Sequence, residues 1–138
     1  MALSSSSVLS PDQLSLSVES IKSRHDAPPW SESLIENDRY RVVVICQSPG
    51  HQNDWHYHLA DESWYIYEGT LSWTLEGRQE PVVVKAGDWI LAPANVCHYI
   101  QVLGDQPSIR IAISYTGEFH RHERDGGMPP APAGARVG

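Results

Sequence analysis

Gly50-His51-Gln52-Asn53-Asp54-Trp55-His56-Tyr57-His58-Leu59-Ala60-Asp61-Glu62-Ser63-Trp64-Tyr65-Ile66-Tyr67-Glu68-Gly69 is the segment that constrains the architecture of this chain most tightly. On extended backbone, residues two apart point to the same face, so His56 and His58 project together and Tyr57 opposes them. A gap of three residues lets the chain bend and bring Glu62 back beside the imidazoles. A second segment, Gly87-Asp88-Trp89-Ile90-Leu91-Ala92-Pro93-Ala94-Asn95-Val96-Cys97-His98, supplies a third histidine from far along the chain. His98 meets the others only if the strands roll into one barrel. Three neutral imidazoles and a carboxylate suit a first-row divalent ion: Fe(II), Mn(II), Ni(II), Cu(II) or Zn(II). Four protein ligands leave one or two coordination positions free for substrate or O₂.

Working outward, the chain reads as β from Arg39 onward. Val, Ile, Tyr, Trp and Thr concentrate in Tyr40–Gln47, Asp54–His58, Ser63–Tyr67, Thr70–Leu75, Val82–Lys85, Trp89–Ala92, His98–Leu103 and Ile109–Tyr115. Turn residues separate these runs at short intervals: Ser48-Pro49-Gly50, Glu68-Gly69, Glu76-Gly77, Ala86-Gly87-Asp88 and Gly104-Asp105. Many short strands without long helices predict an all-β sandwich or closed barrel. Upstream, Ser10, Pro11 and Gln13 form a capping-box pattern for a helix presenting Leu14, Val18 and Ile21 on one face. The competing reading is a strand in which Leu14, Leu16 and Val18 alternate. His25 to Trp30, with two prolines, reads as an extended connector.

With 17 acidic against 10 basic residues the net charge is −7, which argues against a nucleic acid or an anionic membrane as partner. No apolar run approaches the ~18 residues of a membrane span. The N-terminus lacks the basic and apolar regions of a signal peptide, so a cytoplasmic location is expected. Cys46 and Cys97 sit in apolar runs and are expected as inert buried thiols, in keeping with a reducing compartment. The 138 residues divide into an N-terminal arm (1–30), partly flexible, a barrel (31–118) and a C-terminal tail (119–138). The tail is rich in Pro and Gly and expected to be largely disordered. His120 and His122 form another His-x-His within it, in a mixed-charge run expected to be solvated rather than to hold a second metal, with a segment covering the barrel mouth as the alternative.

Gly50, His56, His58, Glu62 and Gly69 match every position of the first motif of the cupin superfamily, and Gly87, Pro93 and His98 match the second. The second motif departs at Asn95 and Val102, where glycine and asparagine are usual. Asn tolerates left-handed backbone, so the turn is expected to survive, and Val102 lies off the metal shell. The resemblance covers roughly residues 40–115. It implies a double-stranded β-helix (jelly-roll) barrel, with one divalent transition metal per chain held by His56, His58, Glu62 and His98, Fe(II) foremost. It also implies a homodimer paired through outer sheets.

Within cupins, Asp54–Gly69 and Trp89–His98 are similar to the metal segments of 3-hydroxyanthranilate 3,4-dioxygenases. The arginines with which that family grips its substrate carboxylate are replaced here by Gln52 and Val102, and the family has a non-ligand where His58 stands. The resemblance therefore implies a relative on the same scaffold: a mononuclear non-haem iron dioxygenase acting on a small aromatic or carboxylate substrate. The alternatives are a redox-neutral metal-dependent lyase or isomerase, in which Glu62 or Tyr99 moves protons, and a non-catalytic small-molecule-binding cupin. If the barrel closes as in cupins, Glu62, Trp64 and Ile66 share its inner face, and Arg110, Ala112 and Ser114 share one face of the last strand. Trp64, Arg110 and Arg41 are the substrate-contact candidates, because an arginine in an apolar strand can pair bidentately with a carboxylate or phenolate. The remaining aromatics, Trp55, Tyr65, Tyr67, Trp73 and Trp89, are expected to fill core and interface.

Overall fold

The computed structural model describes residues 7–138; the first six residues of the expected N-terminal arm lie outside them. Among the described residues eight strands follow one short helix: α1 (Val18–Lys22), β1 (Trp30–Glu36), β2 (Tyr40–Gln47), β3 (Glu62–Glu68), β4 (Thr70–Leu75), β5 (Val82–Lys85), β6 (Trp89–Ala92), β7 (His98–Leu103) and β8 (Ser108–Tyr115). All pairings are antiparallel, in a five-stranded sheet of order β1-β2-β8-β3-β6 and a three-stranded sheet of order β5-β4-β7. The two sheets face each other across a core of Trp64, Ile66, Leu71, Trp73, Leu75, Ile90, Ile100 and Val102. Trp64 and Trp73 pack 5.0 Å apart at its centre. Truncating either would cost on the order of 3–5 kcal/mol. This is the expected all-β jelly roll.

Alternation sorts the inside from the outside. On β2, Val44 and Cys46 turn outward, where Ile21 of α1 and Ile109 bury them, while Val43, Ile45 and Gln47 face the barrel interior. Both cysteines are buried and free. Two local expectations are corrected. Ser10 does not cap a helix: Ser10 and Gln13 exchange backbone hydrogen bonds across Pro11-Asp12 in a tight turn, and α1 begins at Ser17, whose hydroxyl accepts from the Ser20 amide. Asp54–His58 is not a strand of either sheet. It is extended but held by single bridges, His56 to His98 and Tyr57 to Arg121.

Residues 119–138 contain no helix or regular strand, as their composition dictates, yet they lie along the barrel wall. The Trp55 indole donates to the Pro129 carbonyl (2.9 Å), the Tyr57 hydroxyl donates to the Glu123 carbonyl (2.6 Å), and Arg136 bridges Asp54. Met128 and Ala135 close over Trp55, Tyr57, Cys97 and Tyr99. Side-chain contacts and two isolated backbone bridges, at Arg121 and Arg136, seat this segment without a continuous ladder.

Candidate metal centre

The two motifs are joined by a reciprocal backbone pair: the His98 amide donates to the His56 carbonyl (2.8 Å), and the His56 amide to the His98 carbonyl (3.3 Å). This pair sets the His56 and His98 rings 4.4 Å apart, with His58 5.0 Å from His56. The Asn95 amide donates to the His58 carbonyl (2.7 Å) from a residue at φ 67°, so asparagine does supply the left-handed turn. Glu62, the first residue of β3, places a carboxylate oxygen 3.1 Å from His58 Nε2 and 3.7 Å from His98 Nε2.

One ligand atom from each of His56, His58, Glu62 and His98 lies within 4.8 Å of the others. Both ring nitrogens of His58 and of His98 are buried without a hydrogen-bond partner. A buried polar atom without a partner costs about 1–3 kcal/mol, so the nitrogen that each of these rings turns toward the cluster demands a reason. A divalent ion supplies it, and the residues fit one. Burial and the neighbouring histidines push His98 well below its ordinary pKa, which keeps that ring neutral, as a ligand must be. Burial also lowers His56, whereas for His58 the Glu62 carboxylate outweighs burial and raises it.

Asp54 lies behind His56. His56 Nδ1 meets the Asp54 carbonyl at 3.1 Å and its carboxylate at 3.4 Å, which leaves Nε2 as the ligand atom. Carboxylate–histidine pairs of this kind set the tautomer and orientation of metal-bound imidazoles. His120 stacks on His56, with ring centres 3.6 Å apart and planes within 7°, and also reaches the Asp54 carboxylate (3.1 Å), as does His122. The expected solvated run is thus drawn onto Asp54. Burial of Asp54 opposes its ionisation, but the three imidazoles prevail and hold its carboxyl far below the usual range. Asp54, His56 and His120 also bring three donor atoms within 4.8 Å, a grouping that their mutual hydrogen bonds account for.

A cavity of about 300 Å³ opens beside these four side chains, walled by Ile45, Trp64 and Ile100 and edged by Gln47, Asn53 and Arg110. Trp64 packs its ring 5.4 Å from that of His98, where the sequence placed it. Arg110 points inward from the central strand β8 and is only 4% exposed. Tyr99, expected as a proton carrier, is turned away: neighbours on a strand face opposite sides, so with His98 inward Tyr99 packs against Trp55, Tyr57 and Cys97. Arg41 shares the inner face of β2 but sits at its far end, outside the cavity lining, and donates to the Glu118 carbonyl (3.3 Å). Gln47, Asn53, Asp54 and His120 join the site without having been expected. Asn53 and Asp54, three and two residues before His56, stood close enough in sequence to be found.

A family model described as the cupin domain matches residues 43–114, and the chain belongs to that family. The stretch that resembles curated relatives is 34% identical over 74 residues to 3-hydroxyanthranilate 3,4-dioxygenase of Bacillus thuringiensis (strain Al Hakam), covering 51% of this chain and 41% of that protein. It is 30% identical over 73 residues to the enzyme of the same name from Burkholderia lata, covering 51% and 42%. The match thus spans about two-fifths of the length of these relatives. Among solved structures, a cupin-2 domain containing protein from Shewanella frigidimarina superposes with a TM-score of 0.61 at 19% identity, over 72% of this chain and 93% of that one. An RmlC-like cupin family protein with a double-stranded β-helix fold from Methanocaldococcus jannaschii gives 0.59 at 25% identity, over 67% and 84%.

Proposed function

We propose that this cupin is a metal-dependent dioxygenase in which His56, His58, Glu62 and His98 hold one divalent ion per chain, iron(II) foremost, beside a small aromatic or carboxylate substrate. The observation that carries the reading is the convergence of one nitrogen from each of three buried imidazoles and one carboxylate oxygen beside a walled cavity. The chemistry such an ion supplies is Lewis acidity and, as iron(II), reaction with O₂. The protein's own part is positional. Asp54 fixes the His56 ring, the His56–His98 backbone pair fixes the distance between the motifs, and Trp64 and Ile100 keep water from the cavity wall. Glu62 is the one carboxylate of the ligand set and the group placed to take or return a proton at its free oxygen. With Gln52 and Val102 at the positions noted above, the reading is of a relative of the 3-hydroxyanthranilate enzymes with a different substrate.

A homodimer and a cytoplasmic location belong to the same proposal. Trp89 and Leu91 are exposed on β6, an edge strand of the larger sheet, as outer-sheet pairing would require. Among the described residues no helix is long and apolar enough to cross a membrane. The deciding experiment is elemental mass spectrometry on freshly purified protein and on His98→Ala, followed by O₂-uptake assays with phenols and hydroxy acids. About one iron per chain, lost in the variant, together with substrate-dependent O₂ uptake, is the expected result. Zinc, manganese or nickel without O₂ uptake would move the assignment to lyase or isomerase chemistry. Absence of metal after reconstitution would leave a binding protein.

A further inference from the structure

Arg110 is the one feature of the cavity that metal binding leaves unexplained. Its guanidinium is carried on the middle strand of the larger sheet, paired on one side with Ile45 of β2 and on the other with Ile66 of β3. Among the described residues it has no carboxylate within 4.0 Å. A single hydrogen bond, Nη1 to the side-chain oxygen of Gln47 (2.8 Å), engages it, and Nε is buried without a partner. Gln47 is not its counter-ion but a neutral amide already paired both ways with Asn53 (3.0 and 3.1 Å). A guanidinium carries five N–H donors in a planar fork, so most of its capacity is open toward the cavity that holds Glu62, His56 and His98. Proteins seldom bury a cation without an anion.

We infer that the missing anion is the substrate's carboxylate, gripped by Arg110 at one end of the cavity while the rest of the molecule lies between Trp64 and Ile100 and reaches the metal ligands. The inference rests on the reading of this cavity as the substrate site and narrows the substrate to small organic monocarboxylates. A carboxylate matches the fork bidentately. A phosphate dianion would ask for further donors beside Arg110, where Gln47 and Asn53 are spent on each other, while Arg136 and His120, also in the lining, lie against Asp54 (4.0 and 3.1 Å). The Asn53 amide nitrogen also donates to the Ile100 carbonyl (2.9 Å), which holds the pair in place. The position differs from the two at which the 3-hydroxyanthranilate dioxygenases carry their arginines. The charge is kept, and it is delivered from another strand.

The test is calorimetric titration of benzoate, and of propionate as a smaller anion, into full-length protein of measured metal content, with benzamide and propionamide as uncharged isosteres. At least one acid is expected to bind about 30-fold more tightly than its amide, the effect of a charge-assisted contact. Arg110→Gln should erase that preference and Arg110→Lys keep part of it, neither changing the metal content. Equal binding of acid and amide, no binding of either acid at millimolar concentration, or an undiminished preference in Arg110→Gln would overturn the inference. So would displacement of the acid by equimolar inorganic phosphate. The wild-type comparison of acid and amide stands even if a variant fails to fold. His98→Ala separates the two readings: loss of metal with the acid preference retained upholds the anion site on its own, whereas metal bound without any acid preference upholds only the metal centre.

Discussion

Replacing Arg110 by methionine is expected to make the protein more stable, an outcome that separates a residue kept for a ligand from one kept for the fold. Burial pulls the Arg110 pKa down from an ordinary 12.5 to about 10, with Glu62 pulling the other way. That difference corresponds to roughly 3 kcal/mol against the charged form in the folded protein. Methionine preserves most of the apolar stem and removes the charge. What is lost is the hydrogen bond to Gln47, about 1 kcal/mol net. The Gln47 oxygen is not orphaned, because the Asn53 amide still donates to it at 3.1 Å. Allowing for some loosening of packing, the balance is a gain of about 1–2 kcal/mol, or a rise in Tm of about 3–8 °C for a chain of this size. The sign of its pH dependence follows directly. A cation whose folded-state pKa is depressed destabilises the fold at every pH below that value, so the gain should be constant between pH 6 and 9 and shrink only as pH rises through 10. Differential scanning calorimetry in buffer free of carboxylate and phosphate, on samples of equal metal content, measures it. A loss of 1 kcal/mol or more in Arg110→Met would show that the guanidinium braces β2 against β8, and would refute the reasoning.

Other outcomes follow from single contacts. Gly69→Ala should cost about 2–4 kcal/mol, because a β-carbon there would lie 2.8 Å from Ser108 Cα on a backbone already at φ +90°, whereas Gly87→Ala, at φ +95° with open space around it, should cost only about 1–2 kcal/mol. Urea denaturation of the pair decides this, and equal losses would contradict it. Asp54→Asn should weaken metal affinity about 10–100-fold without unfolding the barrel, read by competition with a chelating dye. Arg124, whose Nη1 donates to both Glu76 carboxylate oxygens and whose Nη2 donates to the Asn95 carbonyl, should tether the C-terminal segment, so that Arg124→Ala exposes residues 125–138 to limited proteolysis. Although burial opposes ionisation of Glu76, Arg124 lowers its pKa overall from 4.5. The tether's contribution, about 0.5–1 kcal/mol for so exposed a pair, is therefore present above pH 4.5 and lost as pH falls through the folded value. Glu76→Gln should abolish that acid sensitivity.

Five strand boundaries, those of β2, β4, β5, β6 and β7, coincide with the runs expected from apolar alternation, and His56, His58, Glu62 and His98 come within reach of one another. Those strands bury one face, and burial is what writes a period of two into a sequence. β1 escaped notice because Trp30-Ser31-Glu32-Ser33-Leu34-Ile35-Glu36 is an edge strand with a register shift between Ser33 and Ile35, which breaks the alternation. The seat of the C-terminal segment was hidden for another reason. Its attachments join residues far apart in sequence, 66 positions for Tyr57 with Glu123 and 82 for Gln52 with Gly134, and local composition carries no trace of such partners. Nothing in the His120-x-His122 run marks it as belonging to Asp54. Only closure of the barrel brings them together.

The two ionised groups at the cavity edge, Asp54 and Arg110, invite the objection that they neutralise each other and leave no charge for a ligand. The contacts say otherwise. Asp54 spends its carboxylate on His56, His120 and His122, with Arg136 4.0 Å away. Glu62 is likewise committed, between His58 and His98. An ion of charge two beside one ligand carboxylate leaves a net positive charge, and Arg110 adds another in the same low-dielectric space, where like charges repel more strongly than in water. A cavity arranged this way is least stable when empty of anions. A monocarboxylate held by Arg110 and reaching the metal ligands would relieve both charges at once. The same bookkeeping predicts that metal and carboxylate bind cooperatively: benzoate should bind more weakly to His98→Ala than to the metal-loaded protein while keeping its preference over benzamide. Equal benzoate affinities would show that the two charges do not share one cavity.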